Sequence, residues 1–150
     1  MTQRMRDHEI AVEHPGGTDA TLTFIGRIET PWPTRTDCPR RGQLDGPECT
    51  LIVDPPWDQA LEGIDAIEML DVLYWLHESR RDLLVQNPGH TDNPRGTFAL
   101  RSPIRPNPIG LSRVQLVRRA GNRLVVRGLD CIDGTPLLDI KPQTCPGAAG

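Results

Sequence analysis

The segment at residues 101–112 (RSPIRPNPIGLS) has a proline at three of six consecutive positions, 103, 106 and 108. Each proline lacks a backbone N–H and disfavours helical geometry in the residue before it, so no helix runs through this stretch. Proline and glycine are frequent elsewhere too, with 15 and 14 copies in 150 residues. This punctuation disfavours a bundle of long helices and predicts a loop-rich, mainly β protein of one domain.

Alternating apolar residues bounded by turn signals predict the positions of the strands. A short helix is predicted at residues 54–63, which start with a possible N-cap and end on Gly63. The most apolar stretch, residues 64–77, fits a buried helix or a strand covered on both faces, because periodicity does not separate the two. Residues 80–93 are expected to form a long loop. Strands are predicted at residues 21–29, 49–53, 98–101, 111–117, 124–129 and 137–140, with 111–117 and 124–129 forming a hairpin.

The chain ends and the cysteines bear on domain organisation and compartment. Residues 1–20 are polar and are predicted to form a mobile or lightly docked arm, residues 21–145 the domain, and residues 146–150 a frayed tail. No run of about 18 apolar residues occurs, so no membrane-spanning helix is expected. No secretory leader is evident, which predicts a cytoplasmic protein with reduced cysteines. The four cysteines form no CxxC pair and lie apart from the four histidines, so no metal site is predicted.

Charge is divided unevenly along the chain, although the net charge is only −3. Residues 1–79 hold 15 acidic residues and six arginines, whereas residues 80–150 hold five acidic residues, ten arginines and one lysine. Either the basic half forms a charged surface that recognises phosphates or carboxylates, or its arginines pair with the acidic half across the fold or a dimer. The arginines concerned lie in or beside the predicted hairpin: Arg113, Arg118, Arg119, Arg123 and Arg127.

The proline-rich segment also carries polar side chains suited to binding. Its stiff backbone can hold Arg101, Arg105, Asn107 and Ser112 with little conformational entropy left to lose when a ligand binds. A guanidinium held in this way can grip a carboxylate or a phosphate through two parallel hydrogen bonds. The alternative is that the segment is merely a stiff connection between two strands.

A second motif, LDCIDGTPLLDIKP at residues 129–142, places three aspartates and a lysine within a dozen positions. Turn capping is the expected role for at least one of Asp130 and Asp133, while the alternative is recognition of ribose hydroxyls or an amino group. His77 follows the apolar stretch and is either a structural residue or a proton acceptor. The absence of GxGxxG, P-loop and GxSxG motifs leaves Rossmann, nucleotide triphosphatase and hydrolase functions without support.

The two motifs, in this order, closely resemble the YaeB/TsaA-like family of S-adenosylmethionine-dependent tRNA methyltransferases. The resemblance extends from about residue 22 to residue 143 and includes FIGRIETPW, CPRRG, LYWLHES and PRGTFALRSPIRPNP. It implies a mainly β fold, a small single-sheet β-barrel with one short helix, which forms a homodimer and is not Rossmann-like. It also implies a strand within residues 64–77 and a short helix before that strand.

The same resemblance implies a binding site for S-adenosylmethionine. In the family the cofactor lies among a Pro-Arg loop, the histidine that ends the apolar strand, the arginine of the proline-rich motif and the LDxxDG turn. Chemically, carboxylates suit the ribose or the ammonium, backbone groups suit adenine, and arginine suits the methionine carboxylate. The matching positions are Pro39, Arg40, Arg41, His77, Glu78, Arg101, Leu111, Asp130, Cys131, Ile132 and Asp133.

The activity implied by the resemblance is N6-methylation of N6-threonylcarbamoyladenosine next to the anticodon of tRNA. A nitrogen that carries a carbamoyl group is a poor nucleophile, so some group should accept its proton. His77 and Asp133 are the candidates by residue type, and the sequence does not choose between them. Two other functions stay open: a non-catalytic module that binds S-adenosylmethionine and regulates a partner, and a methyltransferase for a different small substrate.

Overall fold

The computed structural model describes residues 4–16 and 19–144. Their backbone contacts group into two compact units. The first, called here the barrel unit, is Leu22–Trp75 with Gly110–Gly150, and the second, called the inserted unit, is Met1–Thr21 with Leu76–Ile109. The inserted unit therefore divides the span of residues 21–145 that the sequence predicts as one domain. The predicted tail at residues 146–150 lies outside the described residues.

Strands dominate the secondary structure. The four short helices of the described residues are all 3-10 helices, at Arg35–Asp37, Trp57–Leu61, Ile64–Ala66 and Thr97–Ala99. The strands are β1 (Ile10–Ala11), β2 (Gly26–Glu29), β3 (Cys49–Val53), β4 (Met69–Trp75), β5 (Leu83–Gln86), β6 (Arg95–Gly96), β7 (Ile109–Ala120), β8 (Arg123–Arg127) and β9 (Thr135–Pro142).

Six strands close into a barrel in the order β2-β3-β8-β7-β4-β9, which confirms the predicted β-barrel. Burial along β4 alternates, with Leu70, Val72 and Tyr74 buried and the residues between them half-buried. This period of two identifies Met69–Trp75, the main part of the undecided apolar stretch, as a strand rather than a helix. Every strand pairing that is resolved in the barrel is antiparallel. Side chains of the other strands complete the core: Ile28, Leu51, Val114, Leu124, Val126 and Leu137.

The predicted hairpin and the predicted short helix are both present, with altered detail. Strands β7 and β8 form the hairpin, and its turn contains Gly121 at φ +62°. The helix predicted at residues 54–63 is the 3-10 helix Trp57–Leu61. Pro55 and Pro56 precede this helix and Gly63, at φ +86°, follows it, so the helix cannot extend in either direction. Within the described residues no helix has the length and apolar character needed to cross a bilayer.

The inserted unit holds a three-stranded sheet in the order β1-β5-β6 that the sequence did not predict. Of the two states predicted for the N-terminal arm, mobile or lightly docked, β1 is docked: Ile10 and Ala11 pair with β5, and the Val12 N–H donates to the Asp82 carbonyl at 2.7 Å. The expected loop at residues 80–93 contains β5. The expected strand at residues 98–101 is instead the 3-10 helix Thr97–Ala99. Both misassignments concern elements of three or four residues, too short to show a hydrophobic period.

Candidate functional site

In the barrel unit, the loop that contains CPRRG packs against the start of the LDCID turn. A Cβ atom added to Gly42 would lie 1.8 Å from the Gly128 carbonyl oxygen, so only glycine permits this approach. Gly128 itself has φ +121°. Burial is the main cause that raises the pKa of the Cys38 thiol, and the negative charge of Asp130 is the second cause. Because the charge of Asp130 acts on Cys38, the two side chains lie near one another. The fold thus brings two of the sequence-predicted segments together.

The turn itself is fastened by the strand end that contains Thr30. The Thr30 N–H donates to Asp133 Oδ1 at 3.0 Å, and the Thr30 hydroxyl donates to the Cys131 carbonyl at 2.9 Å. The Asp133 N–H donates to the Trp32 carbonyl at 2.7 Å. The Asp133 carboxylate therefore has a structural role, but it bonds a backbone N–H outside the turn and not the turn N–H groups that the sequence suggested.

Cys131 and Ile132 are buried in the core, with 4% and 9% of each residue's surface exposed. Burial raises the pKa of Cys131 to about 12 and that of Cys49 to about 11. These thiols stay protonated at neutral pH, so they serve as small apolar core residues, as the sequence predicts, and not as nucleophiles.

Tyr74 connects the two sequence motifs inside the barrel unit. Its Oη lies 2.7 Å from Ser112 Oγ in the proline-rich motif and donates to Asp130 Oδ1 in the LDCID motif at 3.0 Å. A Cβ atom on Gly110 would lie 2.1 Å from a carbon of the Tyr74 ring, so Gly110 provides the space that the ring occupies. Sequence reasoning treated Tyr74 only as part of an apolar run. The available signal was a glycine and a serine two positions apart on one strand.

Other candidate residues lie in the inserted unit. His77 and Glu78 are exposed at the centre of a turn closed by the Ser79 N–H donating to the Leu76 carbonyl at 3.0 Å. The Leu76 N–H in turn donates to the Pro108 carbonyl at 2.8 Å, which fixes this turn to the proline-rich segment. Arg101 is exposed in that segment.

Several carbonyls in or beside the proline-rich segment accept hydrogen bonds from side chains, because its prolines leave few backbone donors nearby. Gln86 Nε2 donates to the Ile104 carbonyl at 2.9 Å, and Arg81 Nε donates to the Pro106 carbonyl at 2.7 Å. Arg105 Nη1 donates to the Leu100 carbonyl at 2.6 Å, and the guanidinium lies 5.9 Å from the centre of the Phe98 ring. Arg105 therefore supports the loop, which agrees with the alternative of a stiff connection between strands.

The predicted site residues thus fall into two groups. In the barrel unit, Pro39 is half-buried, Arg40, Arg41, Leu111 and Asp133 are exposed, and Asp130 is half-buried. In the inserted unit, Arg101 shares the segment to which the turn bearing His77 and Glu78 is hydrogen-bonded. Of the ligand-binding positions expected in the proline-rich motif, Ser112 bonds Tyr74 and Arg105 bonds backbone carbonyls, whereas Arg101 and Asn107 are exposed.

The uneven charge of the two halves is explained by ion pairs within the barrel unit. Each hairpin arginine has a carboxylate of the acidic half within 3.5 Å, so the alternative of pairing across the fold is the one observed, and an uncompensated phosphate-facing surface on this hairpin is not. The hydrogen bond from Arg118 is the main cause that lowers the pKa of Glu48. The pairs are Arg113–Asp71 at 3.2 Å, Arg118–Glu48 at 3.0 Å, Arg119–Asp65 at 3.1 Å, Arg123–Glu29 at 3.5 Å and Arg127–Glu48 at 3.3 Å.

Comparison with known proteins gives one family match. Residues 27–145 match the family described as the tRNA-methyltransferase O N-terminal domain. A probable S-adenosyl-L-methionine-binding protein, VirR of Rhizobium radiobacter, is 54% identical over 140 residues, which are 93% of this chain and 80% of that protein.

Two Pseudomonas aeruginosa proteins are also similar. The first is named as a putative S-adenosylmethionine-dependent methyltransferase, RcsF, and is 34% identical over 130 residues, 81% of this chain and 54% of that protein. The second is TrmO, whose crystal structure superposes on this one with a TM-score of 0.68 and 33% sequence identity. The match covers 85% of this chain and 56% of the TrmO chain. The chain spans only about half of the length of these two relatives.

Proposed function

Because the chain belongs to the tRNA-methyltransferase O N-terminal domain family, as its motifs lead one to expect, we propose that it is an S-adenosylmethionine-dependent methyltransferase. Its proposed substrate is N6-threonylcarbamoyladenosine next to the anticodon of tRNA. The observation that carries the proposal is the assembly of the CPRRG loop, the LDCID turn and the start of β7 in one barrel unit. A tRNA substrate would place the protein in the cytoplasm, where free thiols such as Cys38, Cys49 and Cys131 persist.

The polar groups of the barrel unit fit the cofactor. Asp130 Oδ1 is bonded by Tyr74, and no donor among residues 22–75 and 110–144 reaches Oδ2, which leaves that oxygen for a ribose hydroxyl or an ammonium. Within the described residues, the backbone N–H groups of Cys131 and Ile132 donate to no carbonyl, so they suit the nitrogen acceptors of adenine. Arg40 and Arg41 are exposed and suit the methionine carboxylate, and the family resemblance adds Arg101 of the inserted unit as a further candidate.

Bound S-adenosylmethionine supplies a methyl group on a sulfonium, and the S–C electron pair stays on sulfur when N6 forms its new bond. The protein's task is to hold donor and nucleophile in line, which can supply much of the rate acceleration. The N6 proton must pass to an acceptor. Asp133 Oδ1 already accepts the Thr30 N–H, whereas His77 is exposed, with no hydrogen bond to the described residues. We therefore assign proton acceptance to His77 and a structural role to Asp133.

We also propose that the protein acts as a homodimer. Several large apolar side chains of the barrel unit are more than a third exposed, as is common at protein–protein interfaces. Light scattering should give a mass of twice 16.7 kDa, and a monomer mass would contradict this part of the proposal. The side chains are Leu22, Phe24, Leu44, Trp57, Leu111 and Val117.

A second candidate function is a non-catalytic module that binds S-adenosylmethionine and regulates a partner. The name of the Rhizobium radiobacter relative, which states binding alone, favours it. The two functions separate in one assay, in which the protein is incubated with methyl-labelled donor and with tRNA from a strain lacking the family enzyme. Label in the tRNA supports the methyltransferase. Saturable donor binding with no label in any RNA contradicts it and supports the regulatory module.

A further inference from the structure

Tyr74 is the only tyrosine in the chain and is 3% exposed. Its hydroxyl lies between one residue of each sequence motif, Ser112 and Asp130. We propose that Tyr74 is a positioning residue, which together with Ser112 fixes the Asp130 carboxylate so that Oδ2 accepts a hydrogen bond from bound S-adenosylmethionine. This inference rests on the proposed function, since it concerns the same cofactor.

The hydrogen bonds run in one direction. A carboxylate only accepts, so the single Tyr74 hydroxyl proton goes to Asp130 Oδ1. The phenolic oxygen is then an acceptor toward Ser112, whose hydroxyl donates to it. Burial raises the pKa of Tyr74 well above its usual range, and the charge of Asp130 adds to this. The hydroxyl is therefore protonated at neutral pH and available as a donor to Asp130.

The ring that carries this hydroxyl is held in place by the backbone. The ring packs directly on the backbone of strand β7 at Gly110, where an added Cβ would overlap three ring carbons at 2.1–2.6 Å. A donor on so constrained a ring sets the orientation of the carboxylate to which it is bonded. One oxygen is thus engaged inside the barrel unit, and the other is left to the ligand.

The ligand donor that meets Oδ2 is an O–H or N–H group, from either the ribose hydroxyls or the methionine ammonium. Removing the tyrosine hydroxyl leaves Oδ1 without its partner and lets the carboxylate rotate. A hydrogen bond to a charged group contributes enough that its loss should weaken ligand binding roughly tenfold. Tyr74→Phe makes this change and keeps the ring on Gly110.

The test is calorimetric titration of S-adenosylhomocysteine, the demethylated product, into four proteins: the wild type, Tyr74→Phe, Asp130→Asn and the double variant. We expect Tyr74→Phe to weaken binding roughly tenfold in the wild-type background and to change nothing further in the Asp130→Asn background. An equal loss in both backgrounds, or no loss in either, overturns the inference. A wild type that binds no ligand contradicts the proposed function itself.

A matched control and a second readout separate positioning from general structural damage. Asn122→Ala removes a hydrogen bond of 2.9 Å to the Val53 carbonyl at the opposite end of the hairpin and should leave affinity unchanged. Tyrosine labelled with carbon-13 at Cζ gives one resonance, since the chain has one tyrosine. Ligand should shift it in the wild type but not in Asp130→Asn, and an unshifted resonance in the liganded wild type overturns the inference.

Titration of 5′-methylthioadenosine identifies the ligand donor, because this compound keeps the ribose and lacks the ammonium. If Tyr74→Phe weakens its binding as much as that of S-adenosylhomocysteine, the donor is a ribose hydroxyl. If only S-adenosylhomocysteine is affected, the donor is the ammonium. Either result supports the positioning role.

Discussion

The backbone N–H of Thr30 donates to Oδ1 of Asp133 at 3.0 Å, across 103 residues of sequence. Asparagine at position 133 retains an oxygen that can accept this bond, whereas alanine does not. We expect Asp133→Asn to keep the wild-type melting temperature and most of the turnover, and Asp133→Ala to lose about 1 kcal/mol of stability. Thermal melts and methyl-transfer rates of both variants check this.

The companion variant is His77→Ala, at the assigned proton acceptor. It should lower kcat strongly while leaving KM and the melting temperature close to those of the wild type, because the side chain is exposed and supports no packing. If instead Asp133→Asn abolishes turnover and His77→Ala does not, the two roles are the reverse of those assigned.

Gly110→Ala tests the contact beneath Tyr74. The new Cβ would lie 2.1 Å from the ring, so the ring or the strand must shift, and overpacking of this kind costs about 1–3 kcal/mol. Chemical denaturation measures the loss. Gly96→Ala is the control, since an added Cβ there meets nothing within 4 Å and should leave the unfolding free energy almost unchanged. Equal stability of the two variants would show that the ring does not depend on Gly110.

Arg101→Ala should weaken binding of S-adenosylhomocysteine by about 1.5–3 kcal/mol if the guanidinium pairs with the ligand carboxylate. Arg95→Ala, an exposed arginine of the same unit, provides a control for loss of charge alone. Calorimetry that gives the same affinity for Arg101→Ala and the wild type removes Arg101 from the site.

Glu48 gives a pH-dependent contribution to stability. Its pKa is lowered in the folded protein, mainly by the hydrogen bond from Arg118. The stabilisation is therefore present above the ordinary glutamate pKa and is lost as the pH falls through the lowered pKa of the folded protein. The melting temperature of Glu48→Gln should be below that of the wild type at pH 7, by a small amount for an exposed pair. The difference should vanish in acid and shrink in high salt; a gap that persists in acid would contradict the ion-pair origin.

The barrel strands were predictable because their patterns are long enough to read. β7 and β8 flank a clear turn, and the family resemblance implied the barrel and a strand within residues 64–77. Strand β5 was missed because four residues between polar neighbours carry no period. β1 was missed because only its pairing with a distant strand makes it a strand at all.

Site residues divide in a similar way. The motifs identified the segments, yet motif residues look alike whether they bind a ligand or hold the fold. Arg105 and Ser112 contact other parts of the protein: Arg105 bonds the Leu100 carbonyl, and Ser112 bonds the Tyr74 hydroxyl. Only the folded structure shows these contacts. The pairing of Arg118 with Glu48 also joins positions 70 residues apart. The sequence shows that acidic residues and arginines are concentrated in different halves of the chain, but not which carboxylate lies next to which arginine.

The most direct test of the proposed function is mass spectrometry of nucleosides from tRNA of a strain lacking the family enzyme, after incubation with the protein and S-adenosylmethionine. We predict that N6-threonylcarbamoyladenosine is consumed and that its methylated form, in which a methyl group replaces one hydrogen, appears instead. Asp130→Asn should slow this conversion. Unchanged N6-threonylcarbamoyladenosine, in the presence of protein that demonstrably binds the cofactor, would contradict the methyltransferase assignment.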